Sequence, residues 1–175
     1  MNLQIVDISV EELIDVVLEK FKRRYPNQKI ILSMPDVFVS IQADPILIEQ
    51  VILNILENAM QHAAGMETIK VTVCKCDNRV SFEITDDGCG IPESIRQKLF
   101  REIIEKKGDI VDKDKKIMAA GQRKPIDGKR YNMGIGMYVC AAIIKAHQGE
   151  LFVRNLLPKG CSFQFILKTE VEHDK

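Results

Sequence analysis

Three polar stations interrupt an otherwise regular alternation of apolar helices and strands, and their order restricts what this chain can fold into. A helical segment carries Asn54 and Asn58, a strand ends at Asp86-Asp87-Gly88-Cys89-Gly90, and a later helix opens on Gly134-Ile135-Gly136. Each alone is common. In this order they outline one cavity: helix amides for a metal, a strand-terminal acid for a base edge, and two glycine-rich backbones for a polyphosphate.

The elements between these stations are legible from caps and periodicity. Ser9-Val10-Glu11-Glu12 reads as a capping box, followed by helically spaced Leu13, Ile14, Val16, Val17, Leu18 and Phe21 up to about Tyr25. Lys29 to Met34 and Val37 to Gln42 are β-branched runs around Pro35-Asp36 and predict a hairpin-like pair. Asp44-Pro45 caps a second helix whose stripe Ile48, Val51, Ile52, Ile55, Leu56 and Ala59 runs to about His62. Strands at 68–76 and 79–85 meet at Asp77-Asn78, and Pro92-Glu93 opens a short helix through Phe100. A third main helix spans about 135–147, and closing strands at 150–155 and 161–168 flank Pro158-Lys159-Gly160. This mixture predicts an α/β (α+β) two-layer sandwich, with a mixed sheet carrying its helices on one face.

A length of 175 residues suits one domain, 1–175, with a polar tail at about 169–175. Basic and acidic residues number 25 each, which excludes bulk attraction to nucleic acid or an anionic membrane. No apolar run approaches the ~20 residues needed to cross a bilayer, and Met1 to Glu12 lacks the pattern of a secretory signal. Cys74, Cys76, Cys89, Cys140 and Cys161 are scattered and complete no zinc spacing, so reduced cytosolic thiols are expected. Between Glu105 and Arg130 the apolar pattern fails. There Lys106, Lys107, Lys113, Lys115, Lys116, Arg123, Lys124, Lys129 and Arg130 outnumber Glu105, Asp109, Asp112, Asp114 and Asp127. This loop either steers a nucleotide or is a solvated segment of low apolar content.

Asn54 and Asn58 lie four apart on one helical face, with His62 one turn further. Amide oxygens there offer neutral ligands to a hard cation, and a solvated face is the competing reading. Asp86 stands where its carboxylate can accept from an exocyclic amine such as that of adenine. The glycine loop is not a dinucleotide fingerprint, because Glu93 occupies the third glycine position and Pro92 intrudes. As an EF-hand it would put Ser94 at the bidentate glutamate position. Gly134-Ile135-Gly136-Met137 opens a helix whose free N–H groups can seat phosphate, and neither P-loop nor His-Arg-Asp motif is present.

In this order the motifs resemble the catalytic, ATP-binding domain of sensor histidine kinases, within the gyrase–Hsp90–histidine kinase–MutL superfamily, over almost the whole chain. Asn54-Ile55-Leu56-Glu57-Asn58-Ala59 resembles the N box, Asp86-x-Gly88-x-Gly90-Ile91-Pro92 the G1 box, and Gly134-Ile135-Gly136-Met137 the G2 box with Ala146-His147-Gln148-Gly149 beyond. The resemblance implies a Bergerat-type sandwich holding Mg2+ and ATP beneath a lid at about 101–133. It implies Asn58 as the Mg2+ ligand and Asp86 as the partner of the adenine amine, with Gly88, Gly90 and Ile91 in the same box. The Gly134–Met137 backbone would wrap the phosphates, Asn54 would support metal and phosphates, and His62 would sit near them.

Departures are visible. Gln61 stands where Lys or Arg is frequent, Glu102 and Ile103 follow Phe100 where Pro and Phe are usual, and Asn132 replaces a leading glycine. Related ATPases that hydrolyse ATP carry Glu four residues before the metal Asn; here it is Asn54, which cannot take a proton. Transfer to a positioned nucleophile is therefore expected. The resemblance implies that this nucleophile is a histidine on a dimerisation domain, which then serves a response regulator. His62, His147 and His173 lie in no such setting, so the phosphoacceptor is expected outside this chain, in a cytoplasmic domain of a membrane-anchored protein. Arg154-Asn155 and Pro158-Lys159-Gly160 resemble Kdp-type, potassium-responsive kinases. An anti-sigma-type Ser/Thr kinase and a docking module with a decayed nucleotide site are the alternatives.

Overall fold

The computed structural model describes residues 2–62, 65–91 and 133–169. Helix α1, Val10–Arg24, begins where Ser9 Oγ accepts the Glu12 N–H at 3.4 Å. Acidic Glu11 and Glu12 occupy its first turn and Lys22, Arg23 and Arg24 its last, each sign favourable to the helix dipole. Helix α2, Pro45–His62, is capped by Asp44, whose Oδ1 accepts from Ile46 N–H at 3.2 Å and Leu47 N–H at 3.3 Å. Helix α3 spans Met133–Ala146.

Strands β1 (Val6–Ser9) and β3 (Ser40–Ala43) form a two-stranded antiparallel sheet. The others are β2 (Lys29–Ser33), β4 (Thr68–Cys76), β5 (Arg79–Asp86), β6 (Glu150–Asn155) and β7 (Cys161–Lys168). They form a sheet in the order β2-β4-β5-β7-β6, antiparallel except for the parallel pair β2 and β4. The hairpin expected from 29–34 and 37–42 is therefore not formed. Tight hairpin turns need left-handed residues, and none with positive φ lies between β2 and β3, whereas Asp77 at the β4–β5 turn has φ 53°. Instead α2 intervenes between β2 and β4, as a parallel crossover requires, and β1 takes the edge of β3.

Alternation assigns the faces of the large sheet. Ile69, Val71 and Val73 of β4, Val80, Phe82 and Ile84 of β5, and Phe163, Phe165 and Leu167 of β7 are buried with the apolar stripes of the helices. Phe82 and Phe165, cross-strand partners, stack with centroids 4.7 Å apart. The opposite face is polar: Gln164 Nε2 donates to Ser81 Oγ at 2.7 Å, and Glu83 Oε1 receives Ser162 Oγ at 2.7 Å and Arg154 at 3.2 Å. Cys74 and Cys76 are exposed, and no disulfide joins the described cysteines. Among the described residues no helix is long and apolar enough to cross a membrane.

Two contacts fix how α2 and α3 run. At one end His147 Nε2 accepts the Asp44 N–H at 3.0 Å, while its Nδ1 lies 2.7 Å from Ile143 O and carries the proton in this arrangement. In the middle Cys140 Sγ reaches Val51 O and Asn54 Nδ2, both at 3.8 Å. The end of α3 thus meets the start of α2, so the helices are antiparallel. Both His147 and Asp44 are buried. His147→Ala leaves the buried Asp44 N–H without its partner, while Ile143 O keeps the backbone N–H of residue 147, so a loss of about 1–3 kcal/mol is expected in denaturant unfolding.

Candidate nucleotide-binding site

The alternation that builds the core also places the acid. Val80, Phe82 and Ile84 point inward, and Asp86 is the next residue on that face, 8% exposed. Its Oδ1 accepts the Gly88 N–H at 3.0 Å. Burial pushes the Asp86 carboxyl above the usual carboxylate range; bonds from the Gly88 and Cys161 N–H groups oppose the shift and the Asp87 charge adds to it. A desolvated carboxylate with spare acceptor capacity is suited to an amine. Neighbouring Asp87 turns the other way: its Oδ1 accepts from Glu67 N–H at 2.8 Å and Thr68 N–H at 3.0 Å, tying the loop to the start of β4. The Thr68 bond, helped by that of Glu67, holds this carboxyl below its usual range.

On α2, Asn58 is 8% exposed and its Nδ2 is buried without a hydrogen-bond partner among the described residues. An unmet buried donor costs about 1–3 kcal/mol, which a phosphate oxygen would relieve, while an amide oxygen suits a hard cation. Asn54, half-buried, directs its Nδ2 to Cys140 on α3. His62 is the last residue of α2, and its side chain lies outside the described ones; Gln61 is exposed.

The helix begins earlier than periodicity suggests. Gly134, Ile135, Gly136 and Met137 lie in the first turns of α3, and Met137 is fully buried, so backbone rather than side chain is what this segment offers a ligand. First-turn N–H groups lack intrahelical partners. A Cβ at Gly136 would meet no heavy atom of the described residues within 4 Å, so packing among them does not demand this glycine. Cys140 is one turn beyond Gly136, and Asn58 one turn beyond Asn54. In antiparallel helices joined at Cys140 and Asn54, Gly136 therefore falls level with Asn58. Two stations share one end of the helical layer, and α2 also packs on β5, which ends at Asp86.

A family model described as histidine kinase-, DNA gyrase B- and HSP90-like ATPase matches residues 43–171. The chain belongs to this family. The sensor protein KdpD of Clostridium acetobutylicum is 30% identical over 162 residues, 93% of this chain and 16% of the relative. The adaptive-response sensory kinase SasA of Synechococcus elongatus is 27% identical over 164 residues, 92% of this chain and 38% of the relative. The chain thus spans well under half the length of these curated relatives. Among solved structures, a nucleotide-free catalytic domain of histidine kinase ThkA matches with TM-score 0.68 and 23% identity, covering 95% of this chain and 98% of that one. Full-length ShkA in complex with AMPPNP matches with TM-score 0.70 and 20% identity, covering 98% of this chain and 33% of that one. Both show the same fold.

Within this ATPase family the expected mixed, mostly antiparallel sheet and three main helices are present. The segment 101–133 expected to form a lid, together with Phe100 before it, falls outside the described residues apart from Met133, which is the first residue of α3. The short helix after Pro92 and the tail beyond 169 also fall outside. Several residues near the site escaped the motif reading. Cys161 is the cross-strand partner of Asp86; burial, then the Asp86 charge, pushes its thiol up to about 12. Burial likewise raises Cys140 to about 11. Both thiols stay protonated and inert near neutral pH. Asn155 holds Ile91 by two hydrogen bonds. Strand register across Asp86 would have shown Cys161; Asn155 stood out only as part of the Kdp-like Arg154-Asn155 pair, and nothing local signals its contact with Ile91.

Proposed function

We propose that this chain is the ATP-binding lobe of a two-component sensor histidine kinase, one domain over 1–175. It would present the γ-phosphate to a histidine on a dimerisation domain outside these residues. Asn54 carries this reading. Four residues before Asn58, it offers no base for water, and its amide is directed at Cys140. Attack by a positioned external nucleophile remains, with catalysis by alignment and charge neutralisation.

In this reading Asp86 accepts the adenine amine, and Gly88, Gly90 and Ile91 form the loop beside the base. The Gly134–Met137 backbone wraps the phosphates, with Gly134 and Ile135 supplying free first-turn N–H groups and Gly136 and Met137 lining the approach, and with Asn54 and His62 near them. Asn58 would hold Mg2+, consistent with its buried, partnerless amide. The cation would neutralise phosphate charge during transfer. The domain is cytoplasmic within a membrane-anchored protein and contacts neither nucleic acid nor bilayer; the response regulator is reached through the dimerisation domain.

The SasA relative is named a sensory kinase, which argues against the anti-sigma-type alternative; the Kdp-type reading rests on Arg154-Asn155 and Pro158-Lys159-Gly160, since a SasA relative matches this chain at the same 30% identity as KdpD. Incubated alone with radiolabelled ATP, the chain is expected to acquire no acid-labile phosphate. Adding the dimerisation domain of the KdpD relative should produce phosphohistidine on that domain. Label on this chain alone, or brisk ATP hydrolysis without acceptor, would refute the assignment.

A further inference from the structure

The β6–β7 turn lies against the glycine loop, and the Asn155 side chain joins them by hydrogen bonds. Asn155, the last residue of β6, accepts the Ile91 N–H through Oδ1 at 2.8 Å and donates to Ile91 O through Nδ2 at 2.7 Å. One amide thus satisfies both backbone groups of Ile91, as a neighbouring strand would, although Ile91 lies beyond the end of β5. The Ile91 side chain is buried in the core, so this residue is held from both sides. The approach is close. Gly90 has φ 80°, and a Cβ there would meet Asn155 Oδ1 at 3.0 Å and Gly160 O at 3.2 Å. Gly160 has φ 109°, and a Cβ there would collide with the Asp86 carbonyl.

The hairpin does not need this clasp for itself. Asn155 already pairs with Cys161 in the ladder, and Leu156 N–H donates to Gly160 O at 2.9 Å. What the amide adds is a fixed exit for the loop whose entrance is Asp86. We propose that Asn155 is a positioning residue for the base end of the nucleotide site, setting the Gly88–Ile91 backbone relative to the Asp86 carboxylate. The inference rests on the assignment of Asp86 to the adenine amine.

Asn155→Ala tests it. Amide exchange at Ile91 should accelerate about 10-fold or more, with the Phe163 and Phe165 amides of β7 unchanged. Dissociation constants for adenosine, ADP and AMPPNP should rise by one common factor of about 5- to 20-fold, with the Mg2+ dependence intact. Asn155→Asp keeps the acceptor for Ile91 N–H and loses the donor, so an intermediate rise is expected even if the alanine variant folds poorly. A merely structural role predicts lower thermal stability with unchanged affinities while the protein is folded, and would overturn the proposal, as would a loss confined to AMPPNP. Wild-type chain that binds none of the three ligands overturns the proposed function together with this inference. Wild-type binding with unaltered variants overturns this inference alone.

Discussion

Asp86→Asn is expected to weaken AMPPNP binding about 10-fold or more while making the ligand-free protein more stable at neutral pH. The two effects have one origin. A hydrogen bond to a charged group is worth about 1.5–3 kcal/mol, and the variant gives up that charge to the adenine amine. In the empty site the same charge is a burden, because burial raises the carboxyl above its ordinary value. The sign follows from linkage: a folded pKa above the unfolded ~3.9 means stability present at low pH is lost as pH rises through the folded value. Asparagine carries no such penalty and retains an oxygen for the Gly88 N–H. Melting curves should therefore separate above about pH 4, with the variant higher, and converge below it. Nucleotide affinity of the wild type should fall as Asp86 takes its proton, a limb absent from the variant. Calorimetric titration showing equal affinities removes the adenine assignment; a variant less stable at pH 7 removes the desolvation argument.

Asp86 was legible because two local signals coincide there: the inward series Val80, Phe82, Ile84 and the glycines that stop the strand. Helices were legible for similar reasons, with Ser9 and Asp44 serving as caps in the structure. The β4–β5 hairpin followed from Asp77-Asn78. What failed was pairing across long separations. Val6–Ser9 is too short to stand out from coil, yet it claims the edge of β3 that Lys29–Ser33 was expected to take. Cys161 opposite Asp86 and Asn155 around Ile91 depend on strand register over more than sixty residues. No turn or cap near them records it. The placement of candidate site residues was readable where one segment carries it, and unreadable where two distant segments share it.

Asn58→Ala should abolish the Mg2+ dependence of nucleotide binding without harming the ligand-free fold. Most buried polar groups are costly to remove because a partner is left stranded. Here Nδ2 has no partner among the described residues, so truncation strands nothing on that side and removes an unmet donor worth about 1–3 kcal/mol. Ligand-free thermal stability is expected to stay level or rise, the small cavity offsetting part of the gain. In EDTA, wild type and variant should bind AMPPNP within about 3-fold of each other, since one neutral hydrogen bond is worth ~0.5–1.5 kcal/mol. With Mg2+ the wild type alone should tighten, opening a gap of about 10-fold or more, because an oxygen ligand to a hard divalent cation has been lost. Equal tightening of both by Mg2+ would place the cation elsewhere. A large fall in ligand-free stability would instead make Asn58 a structural residue of α2, and the polar row Asn54–Asn58 would lose its claim to the phosphate end of the site.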